Sequence, residues 1–288
     1  MWGLKNPAHE DLPIRPFLKW AGGKRQLLPE IRKLLPPNIG DLTYYEPFVG
    51  AGALLFDLRP GRAVINDSNA DLMMTYRVLR ERPEELTEKL REHEKKHDKG
   101  YYYKVRAWDR DKTAYDRLDE TERAARLIYL NRTCYNGLYR VNSRGFFNVP
   151  YGRYKKPAIC EEEVLRGVHR YLRDHGVTII NGDFGEAVKT ADRNSFVYFD
   201  PPYHGQGKGS FTAYQAGTFG EAEQIRLRDT FLALTGQGIP CLLSNADTPF
   251  IRELYQNRGL GIFTVPAKRA INSNAAARGT VPEVLIKN

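Results

Sequence analysis

Short apolar runs that alternate with helix-period segments constrain this chain more than any other feature. The runs are Thr43–Glu46, Ala63–Asn66, Val177–Asn181, Phe196–Phe199 and Ile239–Ser244, rich in β-branched and aromatic residues. Between several of them lie segments such as "KRQLLPEIRKLL", which puts Leu27, Leu28, Ile31, Leu34 and Leu35 on one face, "EEEVLRGVHRYLRD" and "EAEQIRLRDTFLALT". This order predicts an α/β fold with a mostly parallel sheet covered on both faces. A final strand, Val284–Ile286, is expected to pair as a hairpin with residues 262–265. From about 70 to 159 the alternation stops, and the residues read as helix and loop. Pro83 suits a helix start, and Asp119 with Glu122 fits a capping box. The division expected is therefore a discontinuous catalytic domain, 1–69 and 160–288, with a second module, 70–159, inserted after the second strand.

Bulk properties exclude several classes. At 288 residues the chain can bury a proper core. No apolar stretch approaches the length of a membrane span, and the start lacks the apolar core of a signal peptide, so a cytoplasmic location is expected. Cys134, Cys160 and Cys241 are isolated and suggest neither zinc nor a disulfide framework. The net charge of +9 gains meaning from its distribution. Between Asn131 and Ala158 stand six basic residues (Arg132, Arg140, Arg144, Arg153, Lys155, Lys156) and no acid, interleaved with Tyr135, Tyr139, Phe146, Phe147, Tyr151 and Tyr154. A surface that grips phosphates and stacks on bases has this composition.

In "YYEPFVGAGALLFD" a strand leads through Gly50 and Gly52 into a helix, and the glycines let backbone approach a ligand. The third glycine of a dinucleotide fingerprint is absent, because Leu55 stands there. Glu46, Asp67, Asp183 and Asp200 each fall at the end of a strand, where an open parallel sheet forms its ligand crevice. Four acids would repel a pyrophosphate but suit a ligand with ribose hydroxyls and positive charge, such as S-adenosylmethionine, with Asp67 placed for the ribose. "FLKWAGGKRQLL" is no P-loop, since Leu18 replaces the upstream glycine and Arg25 the magnesium-binding hydroxyl. Its glycines suit a helix N-terminus that receives a carboxylate, with Lys24 nearby.

The run "NSFVYFDPPYHG" delivers one carboxylate, two prolines and a tyrosine at the end of a buried strand. Proline disfavours helix for Asp200, and the fixed φ of Pro201 and Pro202 makes a stiff corner. With "FLKWAGGK", "EPFVGAG", "LSNADT" and "YLNRTCYNGLYRVNSRGFFNVPYGRYKKP", this motif resembles the Dam-type DNA adenine-N6 methyltransferases, including related methylases of restriction systems that recognise GATC. The resemblance runs from Phe17 to near the C-terminus. It implies a Rossmann-like methyltransferase fold, a mixed seven-stranded sheet with an inserted, mainly helical DNA-recognition domain. It implies S-adenosylmethionine as donor, S-adenosylhomocysteine as product and no metal. Asp200, Pro201, Pro202 and Tyr203 would be catalytic, with the Asp200 carboxylate and Pro201 carbonyl accepting the two N6 hydrogens and Tyr203 stacking on a flipped adenine. Trp20, Ala21, Gly22, Gly23, Lys24, Glu46, Pro47, Phe48, Gly50, Gly52, Asp67, Asp183, Phe184 and Asp200 would form the cofactor site. Tyr135 would insert beside the flipped base, Asn136 would contact the unpaired thymine, Arg140 and Lys19 would read guanines, and Leu138 with Pro150 would meet thymine methyls.

The expected partners are double-stranded DNA and, as for some relatives, single-stranded DNA, with a restriction endonuclease acting separately and the enzyme itself monomeric. Lys268 and Arg269 join the basic loop as phosphate contacts or solvated charges. Two other readings use the same residues: an RNA methyltransferase, since the Asp-Pro-Pro-Tyr corner does not distinguish sugars, and a non-catalytic DNA-binding protein on this scaffold.

Overall fold

A computed structural model of the chain describes residues 12–20, 24–205, 219–268 and 280–288. Seven strands form one sheet: β1 Thr43–Glu46, β2 Ala63–Asp67, β3 Thr178–Asn181, β4 Ser195–Phe199, β5 Cys241–Ala246, β6 Gly261–Lys268 and β7 Thr280–Lys287. The helices are α1 Leu28–Leu34, α2 Ala53–Leu58, α3 Ala70–Glu81, α4 Pro83–Lys95, α5 Lys99–Arg106, α6 Lys112–Asp116, α7 Glu120–Thr133, α8 Glu162–Asp174, α9 Phe184–Ala187, α10 Glu221–Gly236 and α11 Pro249–Tyr255.

The sheet order is β3-β2-β1-β4-β5-β7-β6. The first five strands are parallel, whereas β7 runs antiparallel to β5 and β6 antiparallel to β7. The expected final hairpin is present and longer than the apolar run alone suggests. The chain winds outward from β1 through β2 to β3, then crosses back to place β4 on the other side of β1. That reversal leaves a crevice beyond the carboxyl ends of β1 and β4, the position at which open α/β sheets bind ligands.

Central strand β4 is buried at every position, which is why Phe196–Phe199 reads as an unbroken apolar run. One core lies between the sheet and α2, α3 and α8 and continues into α4, α5 and α7; the other lies under α9, α10 and α11. Helix α8 shows the selection: Val164, Leu165, Val168, Tyr171 and Leu172 are buried, while Arg166 and Arg173 face water. Pro83 opens α4, where its missing N–H costs nothing. Asp119 caps α7 through the Thr121 amide (2.7 Å), and Glu122 pairs with Lys89 instead of closing a reciprocal box. Helices α4 to α7 and the loop after them occupy the interval between β2 and β3. Because β2 and β3 are parallel neighbours, Val64 with Thr178 and Asp67 with Asn181, the chain leaves the sheet at the carboxyl end of β2 and crosses back to the amino end of the adjacent strand. Helices α3 and α8 flank this excursion and pack together, with Arg80 donating to the Val177 carbonyl at 3.0 Å.

Candidate active site

The turn after β1 is built around two left-handed glycines, Gly50 (φ +50°) and Gly52 (φ +70°). A Cβ on Gly50 would lie 2.9 Å from Trp20 Cδ1, and one on Gly52 equally close to Phe56 and to the Tyr76 hydroxyl. Asp67, the last residue of β2, accepts from the Gly50 amide (3.1 Å) and the Asn69 amide (2.9 Å), and Tyr76 donates to the Gly50 carbonyl (3.0 Å). The acid therefore fixes the loop through one lone pair on each oxygen. Burial pushes the Asp67 carboxyl above its usual range, opposed by those two amides.

Glu46 is 3% exposed, and its Oε2 has no hydrogen-bond partner among the described residues. Burial pushes its carboxyl well above the ordinary value, opposed by the neighbouring Tyr44 hydroxyl, and the charge of Asp200 adds to the rise. An orphaned buried carboxylate oxygen beside a glycine turn suits a cationic ligand group. Next to it a cavity of about 270 Å³ is walled by Pro47, Phe48, Phe184 and Phe219, with Asp183 and Arg226 among its polar lining. The three phenyl rings touch one another, with centroids 5.2–5.8 Å apart, and form one aromatic wall against which a flat heterocycle can lie. Asp183 follows β3 as expected and lines the cavity; it caps α9 through the Gly185 amide (2.8 Å) and pairs with both terminal nitrogens of Arg226 (2.9 and 2.6 Å), which hold its carboxyl below the usual range.

At the end of β4, Asp200 Oδ1 accepts from the Ser244 hydroxyl (2.8 Å) and pairs with Lys24 Nζ (2.9 Å). Its side chain is 17% exposed; burial pushes the carboxyl up, against the pull of Lys24 and Ser244. Lys24 also lies 4.2 Å over the Tyr203 ring. Lys24, expected near a cofactor carboxylate, directs its ammonium to the Asp-Pro-Pro-Tyr corner. Ala21, Gly22 and Gly23, expected in the cofactor site, lie outside the described residues, as do Arg269 and most of the late Asn-rich segment.

The corner is braced from behind. Gln224 donates to the Pro202 carbonyl (2.9 Å) and accepts from Asn245 (2.9 Å), whose Oδ1 in turn accepts from the His204 amide (3.2 Å). The Tyr203 hydroxyl donates to Glu283 Oε2 on β7 at 2.7 Å. Sequence reasoning missed Gln224 and Glu283, which lie in no motif. Ser244 and Asn245 sit inside "LSNADT", a signal that was available.

The basic, aromatic loop is a hairpin-like excursion after α7, closed by bridges Cys134–Tyr151 and Val141–Phe147 and by the Tyr135 amide on the Pro150 carbonyl (2.8 Å). Tyr135 is 45% exposed, and Asn136 (φ +54°), Pro150 and Lys19 are exposed with it. Leu138, expected at a thymine methyl, is instead 3% exposed and packed in the core. Arg140 is held by Asn148, at 2.6 Å from its Oδ1 and 3.3 Å from its carbonyl. Much of the interleaved composition is also structural. Arg132 donates to the Phe17 carbonyl (2.7 and 3.1 Å) and pairs with Glu161, Phe147 is buried, and Tyr139 stacks on Trp20 at 5.2 Å. Arg144, Arg153, Lys155 and Lys156 remain exposed.

A mostly parallel sheet with an antiparallel final hairpin thus carries an acid-Pro-Pro-aromatic corner at its switch point. The chain belongs to the D12 class N6 adenine-specific DNA methyltransferases, whose family matches residues 20–271. It is 44% identical over 276 residues to the type II methyltransferase M1.LlaDCHI of Lactococcus lactis subsp. cremoris, covering 96% of this chain and 95% of that one. It is 43% identical to the type II methyltransferase M.MjaIII of Methanocaldococcus jannaschii, covering 96% and 100%, and 37% identical to the DNA adenine methylase of Escherichia coli K12, covering 94% of each. Of the three readings open to the corner, the family selects the DNA adenine-N6 methyltransferase, and membership implies S-adenosylmethionine as methyl donor.

Proposed function

We propose that the enzyme methylates N6 of the adenine in GATC within double-stranded DNA, after extruding that base into the Asp200 corner. The observation that carries this reading is the convergence of Lys24, Ser244, Asp200 and Tyr203 at one end of the crevice. Glu46, the Gly50 turn, Asp67 and the phenyl-walled cavity would hold the donor, with its ammonium toward the Glu46 carboxyl, its ribose at Asp67 and its base against Phe48 and Phe184. Bound there, S-adenosylmethionine supplies a methyl group made electrophilic by its sulfonium.

The remaining chemistry belongs to the chain. Adenine N6 is a poor nucleophile because its lone pair is delocalised into the ring. Asp200 and the Pro201 carbonyl accept hydrogen bonds from its two hydrogens, so the nitrogen pyramidalises and its lone pair turns toward the methyl, a gain from orientation and electrostatics; as the N–C bond forms and the S–C bond breaks, N6 gives up one proton by way of Asp200 to water. Tyr203 stacks on the purine and offsets part of the few kcal/mol that flipping costs. Residues 1–69 and 160–288 form the catalytic domain in this reading, and residues 70–159 dock on DNA.

Support for GATC comes from Lys19, Tyr135, Asn136, Arg140 and Pro150, which occupy the positions the resemblance assigns to DNA contacts. Support for a restriction setting is the type II naming of two relatives. Duplex DNA incubated with the protein and S-adenosylmethionine should become resistant to a nuclease blocked by GATC methylation. Unchanged cutting, with N6-methyladenine appearing in another sequence, would overturn the site assignment.

A further inference from the structure

Two segments assigned to DNA reading, Lys19 and the turn Tyr135–Gly137, lie far apart in sequence and meet through one side chain. Asn131, in the last turn of α7, is 1% exposed. Its Oδ1 accepts from the Lys19 amide at 2.8 Å, and its Nδ2 donates to the Lys19 carbonyl at 2.6 Å and the Gly137 carbonyl at 2.9 Å. Both carboxamide hydrogens are used. The oxygen meets an N–H and the nitrogen meets two carbonyls, a pattern that only one orientation of the amide satisfies. A main-chain unit held at both its N–H and its C=O cannot slide or rotate without breaking the grip.

The steric contacts point the same way. Gly137 has φ +63°, and a Cβ there would stand 2.5 Å from Lys19 Cδ and 2.6 Å from Lys19 Cβ. The lysine stem therefore lies in the space the glycine leaves. Beyond it the Lys19 ammonium sits 4.6 Å over the Tyr154 ring. Arg132, next in sequence, grips the same segment two residues earlier, at the Phe17 carbonyl.

We propose that Asn131 is a specificity-determining positioning residue, which clasps Lys19 to the Tyr135–Gly137 turn so that the base-reading lysine and the inserting turn approach DNA as one unit. The proposal rests on the reading that both segments face DNA. Asn131 is buried and makes no contact with substrate itself. A lysine is a flexible point charge, and it discriminates between bases only when its backbone is fixed to about half an ångström.

The test uses the full-length enzyme and a set of duplexes in which each base pair of its preferred site is replaced in turn. Asn131→Asp keeps the shape but places carboxylate oxygen against two carbonyls. Gly137→Ala disturbs the same contact from the opposite side. Both variants are expected to lose discrimination at the base pair read by Lys19 by about tenfold or more, while the KM for S-adenosylmethionine stays within about threefold and Asn131→Asp keeps kcat on the best duplex within the same range. Lys19→Ala, assayed in parallel, separates the two claims. Unaltered base preference in Lys19→Ala would overturn the DNA-reading assignment and the clasp with it. Preference lost in Lys19→Ala but retained in the other two variants would overturn the clasp alone. If Asn131→Asp fails to fold by thermal melting, Gly137→Ala decides.

Discussion

Replacing Lys24 with methionine should change the pH dependence of methyl transfer more than its maximum. In the structure a buried ammonium stands 2.9 Å from Asp200 Oδ1. At that distance two unit charges attract by about 6 kcal/mol in a medium of effective dielectric about 20, an upper figure because desolvation opposes it. Asp200 is 17% exposed and keeps the Ser244 hydroxyl, so water and that donor recover part of the loss. The surviving deficit is that of one charge-assisted hydrogen bond, about 1.5–3 kcal/mol, or roughly a ten- to hundred-fold gain in the proton affinity of Asp200. The ionised carboxylate is the stronger acceptor for an N6 hydrogen, so protonation of Asp200 should slow transfer. Single-turnover rates across pH should therefore show an acid limb that lies above the ordinary aspartate range in the wild type and moves further up in Lys24→Met. Stability should follow the same sign. Burial raises the folded-state value of Asp200, so its stabilising contribution is present at low pH and lost as pH rises through that value. The melting temperature of Lys24→Met should thus fall further below wild type at pH 8 than at pH 5. An acid limb that stays in place, or moves down, would refute the assignment of Asp200 as the titrating acceptor held by Lys24.

Other measurements probe neighbouring parts of the site. Glu283→Ala should lower kcat by about ten- to hundred-fold through loss of the Tyr203 contact, Glu283→Gln should restore much of it, and Glu283→Ala added to Tyr203→Phe should cost little more than Tyr203→Phe alone; additive losses would show that Glu283 acts elsewhere. Gly50→Ala forces a side chain into the left-handed region, at about 1–2 kcal/mol, and against Trp20, so calorimetry should find weaker S-adenosylmethionine binding while DNA affinity is kept. Log affinity for duplex DNA should fall with log salt by about 0.9 per phosphate neutralised, and a flat dependence would mean that Arg144, Arg153, Lys155 and Lys156 do not dock on the backbone.

Periodicity made the sheet legible because β4 and β5 are buried on both faces and so advertise themselves as apolar runs. The crevice was legible for a related reason: acids at strand ends are conspicuous after such runs. Pairings that decide what each acid does were not, since they join residues remote in sequence. Arg226 neutralises Asp183 from α10, and Glu283 reaches Tyr203 from the last strand. Composition also overstated the DNA surface. A stretch with six aromatics reads as a stacking platform, yet Phe147 is core, Tyr139 pairs with Trp20, and Tyr151 leans on Tyr102 at 5.4 Å. An aromatic ring satisfies a core and a nucleobase equally well, so exposure, which a sequence does not state, separates the two.

The excursion between β2 and β3 begins and ends on strands that are hydrogen-bonded to each other. A segment tethered this way can lengthen, shorten or be replaced by another of different preference while the register of the sheet and the walls of the crevice stay as they are. If residues 70–159 dock on DNA as proposed, exchange of this crossover offers a route to new target sites on a sheet whose strand order it does not interrupt.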